Sequence, residues 1–389
     1  MPANAGIFIE VGFMNYQMIT DSQGLATVCE AAAQVPAVML DTEFVRTRTL
    51  YPQLGLIQLF DGQTLSLIDP LSIEDMSPLW QLLVNPQVIK VLHACSEDLE
   101  VFLRAGGVLP APMYDTQVMA AFLGHGLSTG FAKLVEEYLG VTLDKGESRT
   151  DWLARPLTDK QLNYAAADVH YLWPLYHTLA EKLAQTPWQQ AMIEECERLV
   201  AKKNKVIRPE LAYLDIKGAW QLKPYQLAVL QKLAQWRLEQ AQKRDLALNF
   251  VVKEAQLLDL ARDMPMNQAQ LESLALDPFV LRRYSQILLR LIRQGKAVSP
   301  DAQPEALKRL VDEPAYKAVL KSFKPEIEKL SQQTGLASEF IASKKQIHQV
   351  LKWVWWYDCD EAKRPDMLKS WRGLLLNSVV QRIFPQIKL

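Results

Sequence analysis

Strand-like sequence stops near residue 200, and that break constrains the fold more than any other feature of the 389-residue chain. Before it, short runs rich in Val, Ile and Leu alternate with helical patterns. After residue 210 apolar residues recur at helical spacing, as at Leu227, Leu230, Leu233 and Trp236. A chain so divided is expected to fold as one α/β domain followed by all-α segments. Three runs, AVMLDTEF (37–44), GLIQLF (55–60) and TLSLID (64–69), predict a meander, with Asp61-Gly62 marking the tight turn between the last two. A first strand is expected in MNYQMIT (14–20) and a buried one in QVIKVLHA (87–94). Helices are expected after Ser77-Pro78, at 96–105, 115–123 and 129–139, and from Thr158 onward, where Pro174 should kink or end the helix.

The expected organisation is an extension at 1–13, an α/β domain at 14–200, and helical domains at 211–293 and 300–389. The breaks between them are AKKNKVIRPE (201–210) and QGKAVSPDAQPE (294–305). The formal net charge of −1 conceals an asymmetry. Residues 1–200 hold 11 Lys and Arg against 24 Asp and Glu, and residues 201–389 hold 32 against 20. Either one surface collects a polyanion while the other holds cations, or two domains are simply solvated differently. No run approaches the ~18 apolar residues of a membrane helix and no signal peptide is evident, so a cytosolic protein is expected. Cys29, Cys95, Cys196 and Cys359 lack metal-site spacing and are expected as free thiols.

AVMLDTEF raises the chemical question. Asp41 and Glu43 occupy alternate positions of a strand, so they share a face, with Cα atoms roughly 7 Å apart, while Thr42 faces away as a spacer. A strand end emerging into water would explain the pair alone. Asp98 adds to it, in the first turn of a helix that Ser96 should cap, directly after the strand QVIKVLHA. In α/β sheets that edge is where sites are built. A third piece lies in LTDKQLNYAAADVHYL, where Thr158 and Gln161 form a capping box and Tyr164 and Asp168, four apart, share a helix face. Four carboxylates and a tyrosine from three elements are what a two-metal phosphoryl-transfer site requires.

The blocks LDTEF, LHACSEDLEVF and YAAAD resemble the three exonuclease motifs of the DEDD superfamily, in the variant whose third motif is Tyr-x-x-x-Asp. The His variant would need a histidine where this chain has Asn163. VRTRTLYPQLGLIQLF and SRTDWLARPL are similar to the ribonuclease D family, and the two helical segments resemble the HRDC domains that follow its catalytic domain. The resemblance runs from Met14 onward. It implies a ribonuclease H-like mixed-sheet exonuclease domain followed by two all-α HRDC-like domains. It further implies Asp41, Glu43, Asp98 and Asp168 as ligands of two divalent cations, Mg²⁺ or Mn²⁺, and Tyr164 as the residue orienting the attacking water. The implied reaction is 3′-5′ exoribonuclease hydrolysis to nucleoside 5′-monophosphates, and the implied partners are tRNA precursors and other small structured RNAs. A DNA exonuclease and a non-catalytic RNA-binding protein are the alternatives.

Arg46 and Arg48, after the first motif, and Arg149, Trp152 and Arg155, before the third, are candidate substrate contacts through phosphate binding and base stacking. Arg155 has the alternative of binding a sheet-edge carboxylate, and Trp152 of anchoring the core. Gln58 and His93 are expected to make structural hydrogen bonds. Trp220, Tyr225, Trp236 and the run KWVWWY (352–357) are expected mainly as core.

Overall fold

The computed structural model describes residues 14–143, 146–204 and 208–387, so the expected extension 1–13 and part of the expected linker lie outside them. The described residues form two compact units. One comprises the chain up to Val45, Pro52–Asn204 and Ala315–Leu389; the other comprises Arg46–Tyr51 and Lys205–Pro314. The last helical segment therefore groups with the α/β part, and a six-residue piece directly after the first acidic strand groups with the first helical segment.

The first unit contains a six-stranded mixed sheet and the helices packed on it. Its elements run β1 (Gln17–Ile19), α1 (Ser22–Ala32), β2 (Ala37–Val45), β3 (Gln53–Phe60), β4 (Leu65–Ile68), α2 (Ser77–Val84), β5 (Ile89–Leu92), α3 (Ser96–Gly106), β6 (Met113–Asp115), α4 (Thr116–Phe122), α5 (Phe131–Leu139), α6 (Asp159–Ala184) and α7 (Gln189–Lys203). The strand order is β1-β4-β3-β2-β5-β6. The predicted meander β2-β3-β4 is present, and its turn is built as the sequence suggests. Asp61 Oδ1 accepts from the backbone N–H of Gln63 (2.9 Å) and Thr64 (2.7 Å), and Gly62 adopts φ +91°.

β2 is central, antiparallel to β3 and parallel to β5. Ala37 to Leu40 are buried core. Its pairing with β5 extends only to Met39, so Asp41, Thr42 and Glu43 continue past the parallel neighbour and remain paired to β3 alone. The β3 register then shifts between Glu43 and Phe44, an irregularity that re-aims side chains at sheet rims.

α6 covers β2, β3 and β4. Its capping box forms as predicted: Gln161 N–H donates to Thr158 Oγ1 (3.2 Å), and Thr158 N–H donates to Gln161 Oε1 (3.0 Å). Pro174, expected to kink or end the helix, lies inside it, and α6 continues ten residues further to Ala184. Packing carries the helix past the proline. Phe60 meets His170 and Trp173 with ring centroids 6.1 and 5.6 Å apart, and Trp173 fills the space where a side chain at Gly62 would stand.

The C-terminal helical segment docks within the same unit through a buried ion pair. Glu195 of α7 accepts from Arg372 and Arg198, and from Trp371 Nε1 (3.2 Å). Phe122, Phe340 and Trp371 close the junction with centroids 4.8–5.3 Å apart. In the second unit, α8 (Pro224–Arg244) and the helix Pro278–Lys296 pack around a core that includes Trp236. The Arg46–Tyr51 piece is pinned there. Asp245 Oδ1 accepts from the N–H of Leu50 (3.1 Å) and Tyr51 (3.0 Å), and the carbonyl of Arg48 accepts from Ala247 (2.8 Å). Trp236 and Trp353 are buried as expected, whereas Trp220, Tyr225 and Tyr357 are exposed. Arg309 stacks over Trp220 at 3.7 Å.

Candidate metal centre

Three carboxylates from two elements converge. Asp41 and Glu43 of β2 and Asp168 of α6 each offer an oxygen, and these oxygens lie within 4.8 Å of one another. Strand alternation supplies the first two on one face, and α6 covers that face. Tyr164, one turn before Asp168, donates its hydroxyl to the Asp168 carboxylate.

Asp98 reaches the neighbourhood from α3 and is held outside this trio by a hydrogen bond from the Thr42 hydroxyl. Thr42, expected only as a spacer, thus positions the fourth acid. Ser96 was expected to cap α3, but it is the helix's first residue and Cys95 stands at the cap with no side-chain bond. Asp115 of β6 caps α4 by accepting from Gln117 N–H (2.7 Å), and it also braces the turn before α3, its carboxylate accepting from the N–H of Ala94 and Cys95 (both 3.0 Å). These bonds hold Ala94 in the left-handed region, φ +52°, and so fix the turn that delivers Asp98.

The acids are crowded and withdrawn from water, Glu43 and Asp98 almost fully and Asp41 and Asp168 in part, and desolvation is the largest influence on each. It raises the Asp41 carboxyl well above the usual carboxylate range, reinforced by Asp98, Asp168 and Glu43. Burial with Asp168 and Asp98 nearby pushes Glu43 up to about 9. Asp168 rises to about 7 through burial, against the lowering effect of the Tyr164 hydroxyl, and Asp98 to about 6, against the hydrogen bond from Thr42. The phenol of Tyr164 is raised by burial and by the surrounding carboxylates, so it stays protonated and acts as a donor. A cluster of like charges with this burial demands a cation or a proton. An all-carboxylate donor set is the chemistry that hard divalent cations prefer, so the residues present fit such ions.

Trp152 does not serve as a base-stacking surface. It is only 1 % exposed, packs against Gly55 of β3, and sets its ring 6.2 Å from that of Tyr164, supporting the tyrosine from behind. Arg155 is likewise committed to structure. Its guanidinium grips Asp69 in bidentate fashion (2.7 and 2.8 Å) and donates to the carbonyls of Gly55 and Trp152. Arg48 lies 5.0 Å over Phe250 within the second unit. Arg46 and Arg149 are exposed. His93 Nδ1 meets Thr116 Oγ1 at 2.9 Å, the structural bond expected of it. Gln58 departs from expectation, being fully buried with neither amide atom hydrogen-bonded. The available signal was its place as the one polar residue in the buried run LIQLF, on the face of Asp41.

Comparison with known proteins agrees along the chain. A 3′-5′ exonuclease domain family matches residues 16–184, the HRDC domain family residues 226–292, and the ribonuclease D C-terminal HRDC domain family residues 314–380. Ribonuclease D of Serratia proteamaculans is 51 % identical over 370 residues, 95 % of this chain and 99 % of that protein. Ribonuclease D of Escherichia coli is 48 % identical over 373 residues, 96 % of this chain and 99 % of the relative. The crystal structure of Escherichia coli RNase D, described as an exoribonuclease involved in structured RNA processing, superposes with a TM-score of 0.91 at 48 % identity. It covers 97 % of this chain and 100 % of its own.

Proposed function

Because the chain belongs to the ribonuclease D family, and is thereby a 3′-5′ exoribonuclease, we propose that its acidic cluster is the hydrolytic centre and that it trims structured RNAs from the 3′ end. The observation that carries this reading is the convergence of Asp41, Glu43 and Asp168 within 4.8 Å beside the Tyr164 hydroxyl. Asp41, Glu43 and Asp168 would hold one divalent cation, and Asp41 with Asp98 a second, Mg²⁺ or Mn²⁺. Bound there, the pair supplies activation of water and stabilisation of the leaving oxygen of the 3′-terminal phosphodiester.

The protein's own groups do the rest. Asp41 feels Asp98, Asp168 and Glu43 alike, so it is the acid that would serve both ions. Thr42 steadies Asp98 through its hydroxyl. Tyr164 cannot act as a base with its phenol raised by burial, so it orients the attacking water as a hydrogen-bond partner while Asp168 and the ring of Trp152 keep it in place.

Arg46 and Arg149, both exposed, remain the proposed phosphate contacts. Farther along the chain, the helix Pro278–Lys296 exposes Arg282, Arg283, Arg290, Arg293 and Lys296, a basic face suited to an RNA backbone. Precursors of tRNA and other small structured RNAs are the proposed substrates, in line with the structured-RNA processing described for the Escherichia coli relative. A cytoplasmic setting belongs to the same reading. It is supported by four free cysteines and by the finding that no helix among the described residues is long and apolar enough to cross a membrane.

Matched RNA and DNA oligonucleotides incubated with Mg²⁺ test this. Stepwise shortening of RNA from its 3′ end with release of 5′-monophosphates is expected; equal degradation of DNA would refute the RNA preference, and absence of product would refute the enzymatic reading.

A further inference from the structure

Gln58 is fully buried, and neither its Nε2 nor its Oε1 has a hydrogen-bond partner. Buried polar atoms are almost always satisfied, so an orphaned amide marks a place where a further partner belongs. Its location is specific. Gln58 pairs directly with Asp41 across the antiparallel β2-β3 ladder, so the two side chains leave the sheet on the same face. Phe60, two residues further along β3 and hence on that face too, packs against His170 and Trp173 of α6. It is therefore the face that α6 covers and on which Asp168 joins Asp41 and Glu43. Along this stretch α6 carries Ala165, Ala166 and Ala167, small residues that leave room for a longer side chain from the sheet.

An amide suits this position better than any charged group. A lysine or arginine would neutralise Asp41 and compete with a bound cation, and another acid would add to the repulsion. A carboxamide can orient a carboxylate without changing the charge of the site. We propose that Gln58 is a positioning residue of the metal centre: its side-chain N–H, without a partner in this structure, is placed to donate to the Asp41 carboxylate when that carboxylate turns to serve the cations. This rests on the reading of the acidic cluster as a metal site and adds a residue to it.

Mn²⁺ binding to the full-length chain, followed by electron paramagnetic resonance together with the melting temperature of the metal-free protein, tests the proposal. Gln58→Leu removes the amide at similar volume, and Gln58→Met does so with an unbranched chain should leucine fail to fold. The expected result is a Kd for Mn²⁺ weakened by about 10- to 100-fold, with a metal-free melting temperature at or above that of the parent. A Kd within twofold of the parent in the variants that fold, above all alongside a lowered metal-free melting temperature, would assign Gln58 to packing alone and overturn the proposal. If the parent chain binds no Mn²⁺, the metal-site reading fails and takes this inference with it; the two failures are distinguished by the parent titration.

Discussion

Buried acids occur in two kinds of setting in the first unit, and their fates are opposite. Glu195 sits between Arg198 and Arg372, and Asp69 is gripped by Arg155. Burial raises both carboxyls, but hydrogen bonds and attraction from these arginines outweigh it, so both end below the usual range. Glu43 and Asp98 are buried and Asp41 and Asp168 half-buried, yet the charged groups acting on them most strongly are one another and further acids, and all four are raised. One kind of site is complete within the chain and joins its parts. The other, on the proposed reading, takes its positive charge from solution.

Neutralising one member of each site should have opposite consequences. Asp41→Asn should lower exonuclease turnover by several kcal/mol of transition-state stabilisation, about 10³-fold, yet leave the metal-free fold as stable as before or more so, because it relieves repulsion. Kinetics and melting curves on the same preparation check both parts. Arg372→Met leaves the buried Glu195 with Arg198 as its one cation and should cost up to about 3–5 kcal/mol of stability, read from denaturant unfolding, with Mn²⁺ affinity in the folded protein unchanged. If Asp41→Asn destabilised the metal-free chain as Arg372→Met does, the two sites would not differ in kind. Tyr164→Phe should be milder, slowing turnover about 10²-fold with little change in metal affinity, which single-turnover assays and Mn²⁺ titration would resolve.

The smallest expected effect is on pH dependence. Groups whose folded pKa is raised contribute stability that is full below their unfolded values near ~4 and is lost as pH rises through the folded ones. For the metal-free cluster that loss spans about 6, 7 and 9, set by Asp98, Asp168 and Glu43. Glu195 and Asp69, with lowered pKa, contribute stability above their unfolded values and lose it on acidification. Metal-free chemical unfolding across this range should therefore show a decline toward alkaline pH that saturating Mn²⁺ abolishes. A flat profile without metal would count against the raised carboxyls.

What the sequence revealed depended on whether the determining interactions are local. The meander, the acidic strand and the Thr158–Gln161 capping box are written in alternation, turn residues and cap spacing, and all are present. Pro174 does not end α6, because a helix held by Phe60 and β4 tolerates a lost bond that an isolated helix would not. The cap of α3 was assigned to Ser96, whereas Asp115, from a strand later in the chain, holds that turn. From sequence Trp152 and Arg155 are open between RNA contact and structural roles, and what decides for structure is distant in the chain: Trp152 is buried, and Arg155 binds Gly55 and Asp69, 100 and 86 residues before it. Alternation leaves Thr42 as a spacer between the two acids; it could not show that Asp98, brought by α3, would meet its hydroxyl.

The difference between the two kinds of buried acid is tested most directly by calorimetric titration of Mn²⁺ into the metal-free chain and its Asp41→Asn and Glu195→Gln variants. The parent and Glu195→Gln are predicted to bind two ions with similar affinity, and Asp41→Asn to lose that binding. Equal binding by all three proteins would contradict the assignment of the unpaired carboxylates as the cation site.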